Sequence, residues 1–239
     1  MKIEILPSLS DNYIFIISNS QLNNCIIIDP SDGDDVLSFC AANNLQIKFI
    51  LNTHHHHDHI GGNRVIQEAT NCKIIAPKYD EHRIGNIDIK VKDHDKGEVL
   101  GFGFEVIYIP GHTLGHIAYY FPKEKILFCG DTIFSGGCGR IFEGTYEQMF
   151  SSISRLKALP EETKIYCAHE YTINNLKFAL SVDPNNQDLV SYHEHCKSMR
   201  EQNIPTIPTN LTRELKINPF LRARTVDEFS KLRKLKDVF

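Results

Sequence analysis

The sequence predicts an α/β body followed by a small α-helical appendage, and three observations carry that reading. Short apolar runs bounded by Gly, Pro, Asn and Asp alternate with helical patterns as far as residue 170. Beyond residue 172 only helical patterns remain. Asp29, the cluster His54 to His59, His112, Asp131 and His169 each stand just past an apolar run. Strand C-terminal ends are where α/β sheets gather their functional groups.

Taken in order, residues 3–6, 13–18 and 25–28 read as strands separated by Asn-, Asp- and Ser-rich turns. Asp29-Pro30-Ser31-Asp32-Gly33 then opens a helix to about residue 42, with Val36, Leu37, Cys40 and Ala41 apolar. A strand at 47–51 leads into the histidine cluster, and a helix runs on to about residue 70. Residues 73–76 form a short strand, and 78–98 are polar and weakly patterned. Residues 104–109 are a strong strand ending in Pro110-Gly111-His112-Thr113-Leu114-Gly115-His116. A strand pair at 117–121 and 126–129 ends in Gly130-Asp131-Thr132. The Gly-rich stretch Ser135 to Arg140 precedes a helix over about 146–158, and the strand 164–167 ends in Ala168-His169-Glu170-Tyr171. Helices follow at 174–181 and 188–202, then a Pro-rich connector (Pro205, Pro208, Pro219) and a last helix from Val226. The domain division expected from this pattern is 1–170 and 171–239.

Thr53-His54-His55-His56-His57-Asp58-His59 is the most chemical stretch of the chain. In an extended loop side chains alternate, so His54, His56 and Asp58 point one way, His59 reaches a second point, and His55 and His57 are assigned no metal. Imidazole and carboxylate together suit zinc, iron or manganese. Four such donors within six residues crowd a single ion, and two adjacent metals are the economical reading. Asp29 and His116 read either as partners that fix imidazole tautomers or as ordinary caps.

With 239 residues, 41% of them hydrophobic, the chain is long enough for one large domain or a domain with an appendage. A net charge of −4 gives no general attraction to nucleic acid or an anionic membrane. Seven scattered cysteines without a CxxC pair read as reduced thiols in a cytoplasmic protein. The N-terminus lacks a signal-peptide pattern, and no apolar stretch approaches the roughly 20 residues of a membrane span. In the last helix, 100° spacing puts Phe229, Leu232 and Leu235 on one apolar stripe, with Lys236 within it and Arg233 at its edge. Lys231 and Lys234 point away.

THHHHDH, PGHTLGH, CGDT and AHEYT, in this order and spacing, resemble the metallo-β-lactamase superfamily. SGGCGR-x-x-EGT, AHEYT-x-x-N-x-KFA and the closing R-x-x-KD-x-F look like its glyoxalase II branch, the hydroxyacylglutathione hydrolases. The resemblance runs from Asp11-Asn12-Tyr13 to the last residue. It implies an αββα sandwich followed by a helical domain. It further implies two divalent ions per chain, with zinc foremost and iron or manganese also accepted. His54, His56 and His112 would hold the first ion, Asp58, His59 and His169 the second, and Asp131 would bridge them. Arg140, Tyr171, Arg233 and Lys236 would grip glutathione, while Phe142 replaces a tyrosine of several relatives.

The activity implied is hydrolysis of S-D-lactoylglutathione to glutathione and D-lactate, the second step of methylglyoxal detoxification, by a monomer acting on a small molecule. Asp58 and Asp131 would be the catalytic carboxylates, working with a water shared by the metals and ionised near neutral pH. A thiol leaving group, which ordinarily ionises at a pH of about 8.5, needs no proton donor. A lactamase or lactonase would leave the tail motifs unexplained, a persulfide dioxygenase would hold one iron, and a structural zinc protein would close its coordination.

Overall fold

The computed structural model describes residues 1–19 and 23–239, which gather into two compact units, residues 1–108 with 115–124 and residues 109–114 with 125–239. The first unit holds β1 (Lys2–Ser8), β2 (Asn12–Ser18), β3 (Asn24–Ile28), α1 (Gly33–Ala42), β4 (Gln46–Leu51), α2 (His57–Ile60), α3 (Asn63–Thr70) and β5 (Lys73–Pro77). It continues through α4 (Glu81–Ile84), β6 (Ile89–Val91), β7 (Lys96–Val99), β8 (Phe102–Tyr108) and β9 (Ile117–Phe121).

β1 to β6 pair in sequence order, antiparallel as far as β3 and parallel from β3 onward. The near-continuous apolar runs of β2 and β3 follow from that position, since a strand covered on both faces has no solvent side to alternate with. Ile14, Ile16, Ile27, Ile50, Val36 and Ile66 make the core under α1 and α3. Asp32 caps α1, its side chain accepting from the backbone N–H of Asp34 (2.9 Å) and Asp35 (3.1 Å). The weakly patterned stretch 78–98 contains α4, β6 and β7. Each is three or four residues long and largely solvent-facing, too short to build a hydrophobic period.

The second unit holds β10 (Ile126–Phe128), β11 (Ile133–Phe134), β12 (Gly137–Cys138), α5 (Tyr146–Lys157), β13 (Lys164–Tyr166), α6 (Thr172–Val182) and α7 (Gln187–Glu201). It ends with β14 (Thr209–Asn210), α8 (Leu211–Ile217), α9 (Pro219–Arg222) and α10 (Val226–Asp237). β10 runs parallel to β13, and β14 antiparallel to it. Strands therefore do not stop at 172. The Pro-rich connector folds back as a two-residue strand and two short helices, the second started by Asn218 as cap and Pro219 in its first turn. α5 opens on a full capping box between Thr145 and Gln148. Gly136, at φ 70°, closes the tight turn between β11 and β12 where a side chain would be strained. No helix among the described residues is long and apolar enough to cross a membrane.

The β11–β12 turn is clasped from the later helices by a buried carboxylate. Glu214 of α8 accepts from Ser135 Oγ (2.9 Å), the Gly136 N–H (2.9 Å), Thr209 Oγ1 (2.6 Å) and Asn218 Nδ2 (2.9 Å). Asn218 Nδ2 also donates to the carbonyls of Phe134 (3.1 Å) and Gly137 (2.9 Å). Burial raises the Glu214 pKa against the pull of these donors. Glu214→Ala strands several buried donors at once and is expected to cost on the order of 3 kcal/mol in urea unfolding. Glu214→Gln keeps one oxygen for the two N–H donors while the hydroxyls rotate to accept, and should cost clearly less. Equal losses from the two variants would show that the hydrogen bonds are not what the carboxylate supplies.

Candidate metal centre

In the first unit the histidine loop begins where β4 ends and is organised by one carboxylate. Asp29, just past β3, accepts from the Thr53 N–H (2.8 Å), from Thr53 Oγ1–H (2.7 Å) and from His59 Nδ1–H (3.0 Å). The Thr53 hydroxyl has one proton, already given to Asp29, so at 3.1 Å from His54 Nδ1 it can only accept. Both His54 and His59 therefore carry their proton on Nδ1 and present Nε2 as a lone pair, the orientation a metal ligand requires. Of the two readings open for Asp29, the structure selects the tautomer-fixing partner. His116 contributes differently, stacking its ring on that of His54 at 4.5 Å and 15°.

The alternation along the loop holds for His54 and His56, which bring ligand nitrogens within 4.8 Å of each other. It fails at Asp58, because α2 starts at His57 and turns the chain from extended to helical. Asp58 then travels with His59, one of its oxygens 3.6 Å from His59 Nε2. Asn12 Nδ2 holds that carboxylate at 3.0 Å. His57 is exposed, and His55 Nδ1 lies 3.2 Å from the buried Asp80, which also pairs with Arg83. Sequence reasoning does not single out Thr53, Asn12 or Asp80 as site residues. Thr53 opens the motif, yet a hydroxyl relay leaves no spacing signal.

In the second unit Asp131 Oδ2 lies 3.3 Å from His112 Nε2 and 3.4 Å from His169 Nε2. His112 Nδ1 is 2.7 Å from the Arg140 carbonyl oxygen. A carbonyl only accepts, so Nε2 again carries the lone pair. Gly139 makes this approach possible, since a Cβ there would overlap the Asp131 carbonyl oxygen. In each unit taken by itself, imidazoles with fixed tautomers beside a carboxylate are donor types that fit borderline divalent cations.

Of the residues expected to grip substrate, Tyr171 and the main chain of Arg140 lie against this trio. Tyr171 stacks on His169 at 4.7 Å and 3°, and Phe142, largely exposed, sets its ring edge-on to His112 at 5.1 Å. Arg140 is exposed and reaches Asp237 at 3.6 Å. The apolar stripe of α10 differs from expectation: Leu235 is 53% exposed, while Arg233 is 4% exposed. Arg233 is internal because its donors are used, Nη1 to the Cys138 carbonyl (2.9 Å) and Nη2 to Asp237 (2.9 Å), with Phe220 under its guanidinium. Lys236 donates to the Asn174 carbonyl at 3.1 Å, and half-burial lowers its pKa. Burial pushes the Cys138 thiol up to about 11 against the pull of Arg233, which leaves it protonated and unsuited as a nucleophile.

Because Asp29 sets two imidazoles at once, Asp29→Ala is expected to weaken metal binding about 10–100-fold although it removes none of the candidate ligands. Competition against a chromophoric chelator reads it. An unchanged affinity would remove Asp29 from the metal's support.

Residues 11–169 match the family model of the metallo-β-lactamase superfamily, and residues 170–239 match that of the hydroxyacylglutathione hydrolase C-terminus. The chain is 47% identical over 239 residues to hydroxyacylglutathione hydrolase of Pelagibacter ubique, covering all of both chains. It is 45% identical over 224 residues to that of Pseudomonas aeruginosa, covering 93% of this chain and 86% of the relative. Among solved structures, ETHE1 from Myxococcus xanthus aligns with a TM-score of 0.75 at 24% identity, covering 98% of this chain and 90% of its own. BLEG-1 B3 metallo-β-lactamase aligns with a TM-score of 0.73 at 20% identity, covering 93% and 100%. Those two identities carry the fold alone, whereas the whole-length relatives and the C-terminal match carry the branch. The chain belongs to the hydroxyacylglutathione hydrolase family and has the metallo-β-lactamase fold with a C-terminal helical segment.

Proposed function

We propose that the chain hydrolyses S-(2-hydroxyacyl)glutathione thioesters, taking S-D-lactoylglutathione to glutathione and D-lactate as the second step of methylglyoxal detoxification. The observation that carries this reading is that the likeness continues through residues 170–239, beyond the part common to the superfamily. Residues 171–239 act in it as the substrate-binding segment and residues 1–170 as the catalytic one. Seven reduced cysteines support a cytoplasmic setting. The reading takes the chain as a monomer whose partner is a small molecule.

Two divalent ions complete the reading, zinc foremost, with iron and manganese suited to the same donors. His54, His56 and His112 would hold one, Asp58, His59 and His169 the other, and Asp131 would serve both. When bound, such ions polarise a carbonyl and bring the pKa of water toward about 7. The chain's own residues do the rest. Asp29, Thr53 and the Arg140 carbonyl keep three imidazoles in the ligating tautomer. Asp58, steadied by Asn12, orients the attacking water by accepting its hydrogen bond. Arg140 and Lys236 offer cations to the carboxylates of glutathione, and Tyr171 offers a flat wall. Arg233 serves this grip from inside, by fixing Cys138 and Asp237 beside Arg140. Phe142 presents an apolar ring where a tyrosine would present a hydroxyl.

The direct experiment is metal analysis of purified protein together with loss of thioester absorbance on S-D-lactoylglutathione. About two ions per chain and rapid hydrolysis are expected, and Asp131→Ala should lose metal and activity together. Full activity with one tightly held ion would sink the binuclear arrangement. His56→Ala should abolish activity, whereas His57→Phe should retain metal and much of the rate. Among the basic residues of α10, Lys236→Ala should lower kcat/KM about 10-fold, mostly through KM, and Lys231→Ala should be neutral. Arg233→Ala should also lower Tm, because it empties a buried position. Identical kinetics for the Lys236 and Lys231 variants would remove the helix from glutathione binding.

A further inference from the structure

A pair of thiols lies in the first unit, apart from every residue assigned above. Cys25 of β3 and Cys40 of α1 bring their Sγ atoms to 3.8 Å, one thiol donating to the other. Both belong to the core under α1, with Cys72 in the same cluster. Cys40 is only 3% exposed, yet it forms part of the wall of a surface pocket of about 370 Å³. Leu37, Leu45 and Ile47 supply apolar wall there, while Gln46, Lys48 and Thr70 supply polar groups.

We propose that Cys40 and Cys25 form a thiol–disulfide exchange site, reached through this pocket, for small anionic disulfides. Such a disulfide presents an apolar S–S bond flanked by carboxylates, and the pocket offers an apolar wall with Lys48 among its lining residues. The two sulfurs are in contact at 3.8 Å and must close to the roughly 2.05 Å of a disulfide.

The chemistry runs in two exchanges. Cys40, as thiolate, attacks one sulfur of the small disulfide, forming a mixed disulfide and releasing one small thiolate, which takes up the proton Cys40 lost. Cys25 then gives up its proton and attacks Cys40 Sγ, forming the Cys25–Cys40 bond and releasing the second small thiol. Two protein thiols are oxidised by two electrons, and one disulfide is reduced to two thiols. The pocket sets the order: Cys40 is part of its wall and Cys25 is not, so Cys40 is the first nucleophile and Cys25 resolves the mixed disulfide.

The test exposes the reduced full-length chain, under native conditions, to glutathione disulfide, then quenches, alkylates and maps the peptides by mass. The expected product is a Cys25–Cys40 cross-linked peptide, formed about tenfold faster than modification of any of the other five cysteines. Cys25→Ser should accumulate one glutathionyl group on Cys40, and Cys40→Ser should leave Cys25 unmodified. The wild-type map stands alone if either core variant fails to fold by circular dichroism. The proposal is overturned if the cross-link forms only in denaturant. It is overturned equally if another cysteine reacts first, or if Cys25 and Cys40 stay alkylatable throughout.

Discussion

The buried carboxylate of Asp29 is the interaction on which the histidine loop depends. A desolvated carboxylate is costly unless its oxygens are satisfied, and here three donors from Thr53 and His59 meet it within 3.0 Å. The backbone is bent to allow this, with Asp29 at φ 50° and its N–H held by the Leu51 carbonyl at 3.1 Å. Asp is among the few side chains that tolerate that conformation. Two adjacent parallel strands thus deliver, from their ends, the carboxylate and the imidazoles it orients.

The second unit solves the same problem with other groups. Its three ligand candidates hang on loops, and the loop that follows Asp131 is held by helices that come later in the chain. Glu214 and Asn218 clasp the β11–β12 turn, and Arg233 clasps Cys138. Between them runs the stretch from Asp131 to Arg140. The C-terminal helices therefore hold the loop that carries one carboxylate and supplies the carbonyl facing one imidazole.

Much of this is legible in the sequence, for reasons that vary by residue. β2 and β3 are visible because burial on both faces writes an unbroken apolar run. β6, β7 and β14 are not, since two to four residues cannot show a period and their pairing is decided by partners distant in sequence. The donors at strand ends are legible as residue types. The change from extended to helical at His57, which redirects Asp58, is not, because that turn is only four residues long and lacks a side-chain cap. Arg233 is placed only at the edge of the packing face by a stripe drawn through Phe229, Leu232 and Leu235, because that stripe counts apolar residues alone. A guanidinium with two hydrogen-bonded partners and an aromatic ring beneath it can outcompete Leu235 for the inside of a helix.

Arg140 supplies two things from separate atoms, a main-chain oxygen to His112 and an exposed guanidinium beside Asp237. Every amino acid carries that oxygen, so no substitution at this position removes the acceptor so long as the backbone keeps its path. Gly139, packed against the Asp131 carbonyl, keeps it there. The arrangement separates two kinds of heredity. The side chain at position 140 is free to change through a string of substitutions, each of which keeps the acceptor that faces His112. Asp29 has no such latitude, for its entire contribution resides in a side chain. An engineer varying this stretch would diversify position 140 and leave Asp29 alone.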